Sequence, residues 1–137
     1  MDKFPVLSLT IGLPVLVAFL ILRMKNLESS IRGIALAGSA GSFLFCLEII
    51  RRVTASGSYA EPWVISLFGD ARPLFIADPL TAVPMTLFAA LTIITIAAAP
   101  KRDLSPRMAA AILLIFASTL TVYAAENLVV LFVGWTI

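Results

Sequence analysis

The sequence predicts an all-α membrane protein. It has four transmembrane helices, a short incomplete fifth, and a small β-hairpin between the second and third. Three observations predict this. Hydrophobic residues make up 61% of the chain and charged residues 13%, with a mean hydropathy of +1.05. A soluble domain is about a quarter charged and needs polar residues to cover its surface. Apolar runs near the length that crosses about 30 Å of hydrocarbon recur along the chain. One longer connection carries two short stretches rich in β-branched and aromatic residues. The whole chain, 1–137, reads as a single membrane domain.

The first helix is expected over about 4–22, FPVLSLTIGLPVLVAFLIL. Asp2 and Lys3 precede it and RMKNLE follows it, with no small-residue cleavage site. It is therefore a retained helix and not a signal peptide. Pro14 should kink it, which membrane helices tolerate.

The second helix is expected over about 31–50. Gly33, Ala37 and Gly41 fall four apart on one face, as do Gly38 and Ser42. Small residues at this spacing let helix backbones approach closely, so they predict a packing face. The alternative is that Gly and Ala are simply common in membrane helices. Glu48 stands one turn before Arg51 and Arg52, at ion-pair spacing with either. A structural interfacial pair is favoured over a proton-relay carboxylate.

The connection over about 51–78 opens with the turn-rich stretch TASGSYAE. WVISLFG and PLFIA then flank DAR, which predicts a hairpin with Gly69 and Asp70 in its turn. The alternative is an irregular interfacial loop held by Trp63 and Phe68. The third helix is expected over about 79–99, with Asp78 as N-cap, Pro79 in the first turn and Pro100 at the exit. The fourth is expected over about 107–125, with Ser105 as N-cap and Pro106 in the first turn. The fifth, over about 127–137, is too short to span.

Basic residues set the expected orientation. Arg23, Lys25, Arg32, Lys101, Arg102 and Arg107 share one side; Lys3, Arg51, Arg52 and Arg72 lie on the other. The acidic Glu61, Asp70, Asp78 and Glu126 accompany the second group. The first side is expected in the cytoplasm of a bacterial inner membrane, with the N-terminus and hairpin outside.

Composition also excludes chemistry. Cys46 is the single cysteine, so no internal disulfide forms, and its apolar surroundings predict an inert thiol. The chain has no histidine, which removes histidine-based nucleophilic catalysis and histidine-ligated metal sites. No phosphate-binding glycine motif is present. A net charge of +2, with no basic run among exposed aromatics, does not point to nucleic acid. Helices one, three and four hold no ionisable group between their ends. Their polar residues are hydroxyls: Thr86, Thr92 and Thr95 in the third, Ser118, Thr119 and Thr121 in the fourth. Such hydroxyls readily bond the carbonyl four residues back. No catalytic, cofactor-binding or metal-ligating residue is assigned.

Three features together resemble one family. FIADPLTAV, Phe75 to Val83, is similar to the (V/A)D-x-L-(S/T) segment that ends a strand pair in antiporter-like membrane subunits. Those subunits occur in respiratory complex I, membrane-bound hydrogenases and Mrp-type cation/proton antiporters. ENLVVLFVGWTI resembles the (E/D)NLL-x-LFVGWE segment opening their fifth helix. The layout also matches: two helices, a hairpin, then two helices leading to that segment. The resemblance covers essentially the whole chain and about the first third of a full subunit. It implies a place in a proton- or cation-translocating complex, among other membrane subunits. Asp78 and Asn127 match as caps of helices three and five, and Glu126 as an interfacial group.

Two departures matter. Thr136 stands where the family has the glutamate that pairs with a lysine on a later helix, and a threonine holds no charge. The family's later helices are also absent from this sequence. The expectation is therefore a truncated or split antiporter-like subunit that packs within a respiratory or Mrp-type complex without independent transport. The alternative is a small structural or assembly subunit with no part in ion translocation. An enzyme with its own redox centre lacks its usual ligand set here, though a non-catalytic place in an NADH:quinone oxidoreductase-like complex is open.

Overall fold

A computed structural model of the chain describes residues 4–24, 30–67, 70–100, 102–126 and 128–136. Four helices are long and apolar enough to cross a membrane: α1 (Val6–Arg23), α2 (Ile31–Ser56), α3 (Pro79–Ala98) and α4 (Pro106–Ala124). A short α5 (Leu128–Thr136) follows. The four long helices run up and down in a ring, α1 against α2 and α4, and α3 against α2 and α4; α5 packs on α4. One end of the ring carries the strands. The other carries the α1–α2 and α3–α4 connections with Arg23, Arg32, Arg102 and Arg107. Lys3, Lys25, Lys101 and Asn127 lie outside the described residues.

The core is two stacked clusters. The strand-end cluster joins Val6, Leu7, Ile49, Met85, Phe116 and Leu120, with Cys46 buried among them. The basic-end cluster joins Val17, Ile21, Ile31, Ile96, Leu104 and Leu113. On α1 and α2 a belt of buried hydroxyls, Thr10, Ser39 and Ser42, falls between them. α4 has eight buried residues against four in α3. The outward face of α3 is correspondingly bare and apolar: Leu80, Val83, Leu87, Leu91 and Ile94 are all exposed.

The small residues of α2 divide in a way their spacing does not reveal. A Cβ added at Gly38 would meet Val17 Cγ2 at 2.8 Å, and one at Gly41 would meet Leu13 Cδ2 at 2.6 Å. Gly38 and Ser42 are buried against α1, but Gly33 has nothing near it and Ala37 is exposed. The packing face is therefore Gly38–Ser42 with Gly41 at its rim, and Gly33 and Ala37 look outward.

Helix α2 also runs past Ile50 to Ser56. Glu48 holds Arg51 and Arg52 along this extra stretch, and the hydroxyls of Thr54 and Ser56 donate to the carbonyls of Ile50 and Arg52. Gly57, with φ +82°, ends the helix in a backbone region that favours glycine.

The connection that follows contains two antiparallel pairs. β1 (Tyr59–Ala60) pairs with β4 (Ile76–Ala77), and β2 (Val64–Leu67) pairs with β3 (Asp70–Pro73). The expected hairpin is present, but Asp70 is a strand residue opposite Leu67 and not a turn residue. Phe68 and Gly69 lie outside the described residues. PLFIA is not one strand: Leu74 and Phe75 separate β3 from β4. Trp63 is exposed, and its carbonyl accepts from Leu74 N–H, 2.9 Å.

Candidate functional site

The densest polar structure is the strand end, and it begins with a helix that cannot cap itself. Pro5 at the N-cap of α1 has no side-chain oxygen, and α1 has no acidic residue in its first turn. The first N–H groups of a helix need acceptors. Glu61, far away in sequence, supplies one. Its Oε1 accepts from Ser8 N–H, 2.6 Å, and its Oε2 accepts from the Ser8 hydroxyl. Glu61 is only 3% exposed. A buried carboxylate is tolerated when hydrogen-bonded, and the partial positive charge of a helix N-terminus favours it further.

Tyr59 makes a second tie, its hydroxyl donating to Phe4 O, 2.6 Å. The Arg52 guanidinium lies 5.1 Å from the centre of the Tyr59 ring, within cation–π range. Arg52 also donates to Glu48 Oε1, 2.9 Å, while Arg51 grips both Glu48 oxygens at 2.8 and 2.6 Å. The predicted pair of Glu48 with either arginine is thus a triad with both. It braces the last turns of α2 to the segment that holds α1.

Leu74 and Phe75 carry this linkage across the bundle. On one side Phe75 O accepts from Glu61 N–H, 3.2 Å; on the other Phe75 bridges Ala125, and Glu126 N–H reaches Leu74 O at 3.5 Å. β4 then runs straight into α3. There Asp78 Oδ1 accepts from Thr81 N–H, 2.8 Å, and Thr81 Oγ1 accepts from Asp78 N–H, 3.0 Å. This reciprocal capping box satisfies two backbone donors at once. Asp78 is therefore the cap that the sequence predicts, and Ser105 likewise caps α4 through Met108 N–H, 3.2 Å. Glu126 is exposed beside the α4–α5 turn.

The middles of α3 and α4 carry hydroxyls and no charge: Thr121 is buried, Thr86, Thr92, Ser118 and Thr119 are half-buried, and Thr95 is exposed. Thr86, Thr92, Thr95, Ser118, Thr119 and Thr121 all donate to the carbonyl four residues back, at 2.8–2.9 Å. One contact differs. Pro14 has no N–H, so the Thr10 carbonyl lacks its helical partner. Ser42 on α2 donates to it instead, 3.1 Å. Sequence reasoning treats Ser42 only as a small residue; a proline four positions after Thr10 is the signal that identifies the open carbonyl.

A groove of about 450 Å³ lies between α3, α4 and α5. Phe88 and Tyr123, with ring centres 5.7 Å apart, line it beside Ser118, Thr119, Gly134 and Trp135. A Cβ on Gly134 would sit 2.9 Å from Thr121 Cγ2, so α5 approaches α4 closely. Thr136 is exposed, and its hydroxyl is directed to Phe132 O and Val133 O, at 3.1 and 3.0 Å. No group of histidine, cysteine or carboxylate side chains capable of holding a metal occurs among the described residues.

No protein-family model matches this sequence, and no curated protein matches it significantly.

Proposed function

We propose that the chain is an integral membrane protein of the antiporter-like type, packing within a proton- or cation-translocating complex without moving ions itself. The observation that carries this reading is the junction FIADPLTAV. The residues that resemble the family's strand-to-helix segment include β4, which pairs with β1 and enters α3 through the Asp78–Thr81 capping box. The four long apolar helices support the membrane part of the proposal. The absence of transport is supported by the polar residues of α3 and α4. A proton or cation path at bilayer depth needs ionisable or water-exposed polar groups, and the hydroxyls here are held by backbone carbonyls. The strand end is proposed to face outward, with the basic loops in the cytoplasm of a bacterial inner membrane.

The test is reconstitution of the purified chain into sealed vesicles, with internal pH followed after a pH jump in sodium or potassium. The expected result is no flux above protein-free vesicles. Robust exchange by the chain alone would sink the proposal. Purification from native membranes in mild detergent should recover further polytopic membrane subunits with it.

Thr136 favours a second reading, a structural or assembly subunit with no part in translocation. It occupies the position of the family's charged residue, yet it is satisfied by its own helix. If the partner complex pumps normally after Thr136→Val, this reading is preferred. If pumping falls while assembly is intact, the first stands.

A further inference from the structure

A second groove, of about 350 Å³, lies at the basic end between the last turn of α1 and the first turn of α4. Most of its lining is apolar: Ile21, Leu22, Met24 and Pro106. The rest of its lining is polar and carries one cation. Arg107 lines it beside Ser105, and Arg23 stands between the lining residues Leu22 and Met24. Both arginines are exposed, and neither has an ion pair or hydrogen bond among the described residues. The one described carboxylate nearby, Asp103, lies 3.9 Å from Arg102, which is not part of the groove. Ser105 accepts from Met108 N–H and so keeps its own hydroxyl proton free to donate.

We propose that this groove seats an anionic phospholipid. The phosphate lies between Arg23 and Arg107 and accepts from the Ser105 hydroxyl, and one acyl chain runs along Ile21, Leu22 and Met24. Charge complementarity identifies the occupant. One unpaired guanidinium in the lining, Arg107, a second on the adjoining residue Arg23, and an apolar remainder match a molecule with a fixed negative charge on a hydrocarbon chain. A zwitterionic headgroup would bring a second cation to the same rim. Arginine also suits phosphate because its planar fork donates two bonds at once.

The inference rests on the membrane reading proposed above, and the experiment separates the two. The purified full chain in detergent micelles is titrated with phosphatidylglycerol or phosphatidylcholine, and bound lipid is counted by native mass spectrometry. Phosphatidylglycerol should be retained in preference. Arg107→Gln and Arg23→Gln should each lower that preference about fivefold, the scale of one charge near an anionic lipid surface. Arg102→Gln should leave it within twofold, and inorganic phosphate should not displace the lipid. Since all three arginines are exposed, helix content should not change. Equal retention of the two lipids, or an equal loss with Arg102→Gln, would overturn the site while leaving the membrane reading intact. A chain that stays in solution without detergent would overturn both.

Discussion

The two ends of the bundle solve the same problem by different means. Each must satisfy the polar ends of apolar helices. At the strand end, chain segments far apart in sequence do this together. Glu61 caps α1, Tyr59 holds Phe4, and Leu74–Phe75 pairs toward both Glu61 and Ala125–Glu126. At the basic end the devices are mostly local. Ser105 caps the helix that follows it, and Asp103 and Leu104 N–H groups turn back to Pro100 O. One long-range tie crosses there: Arg32, at the start of α2, donates through Nη2 to the Ala99 carbonyl at the end of α3. A cation is favourable at a helix C-terminus. That tie is incomplete, because Arg32 Nε is buried with no acceptor among the described residues. The strand end is thus a braced cap and the basic end a set of short turns.

The comparison breaks most readily at Glu61. Glu61→Ala leaves the Ser8 N–H without its acceptor and opens a gap under the strands. The expected loss is about 3 kcal/mol, from an unmet buried donor and the removal of a charge-assisted bond. Glu61→Gln keeps one acceptor and should cost about half as much. Equilibrium unfolding in micelles measures both, and Glu61→Ala within about 0.5 kcal/mol of wild type would show that the cap braces nothing. Proteolysis should also become faster in the connection over 57–78 before the helices open.

The helix caps sharpen the contrast. Asp78→Ala removes the 2.8 Å carboxylate bond to Thr81 N–H and should cost about 1.5 kcal/mol; Ser105→Ala removes one hydroxyl bond of 3.2 Å and should cost about 0.5 kcal/mol. The reverse order would place the more stable end of the bundle at the turns. Arg32→Met should be milder than its burial suggests, about 1 kcal/mol. It loses the bond to Ala99 but also removes a buried donor with no partner among the described residues. A loss near that of Glu61→Ala would mean that the basic end is braced as firmly as the strand end.

Much of this was legible in the chain, and the division has a physical cause. The long helices follow from apolar runs with Asp78, Ser105, Pro79 and Pro106 at their starts, because these signals are local. The Glu48–Arg51–Arg52 triad is legible for the same reason, being set by helical spacing. The bonds from Thr86, Thr92, Thr95, Ser118, Thr119 and Thr121 to their own helices are likewise local. Glu61 was hidden because its partner is on a helix that precedes it by some fifty residues. Arg32 was hidden for the same reason. Which of Gly33, Ala37, Gly38 and Gly41 faces a neighbour depends on the rotation of α2 about its axis. Small-residue spacing does not fix that rotation; the bulk of Val17 and Leu13 on α1 does. The extension of α2 past Ile50 is not legible because TASGSYAE is turn-rich in composition, while the helix ends only where Gly57 permits it.

The subtlest comparison is between the helices themselves, where Pro14 and Ser42 act as a pair. Ser42→Ala alone leaves the Thr10 carbonyl open inside the bundle, since Pro14 offers it no N–H. In Pro14→Ala the backbone regains that donor, and the Ser42 hydroxyl becomes redundant. The cost of Ser42→Ala should therefore shrink when Pro14→Ala is already present, with a coupling of about 0.6 kcal/mol, the size found for hydrogen bonds between membrane helices. A double-mutant cycle on unfolding in micelles reads it directly. Additive effects would mean that the α1–α2 seam is held by the fit of Gly38 to Val17 alone and that the hydroxyl merely fills space. Coupling of the expected sign would make Ser42 the donor that Pro14 removes from its own helix, so that a break in α1 is met by a side chain of α2.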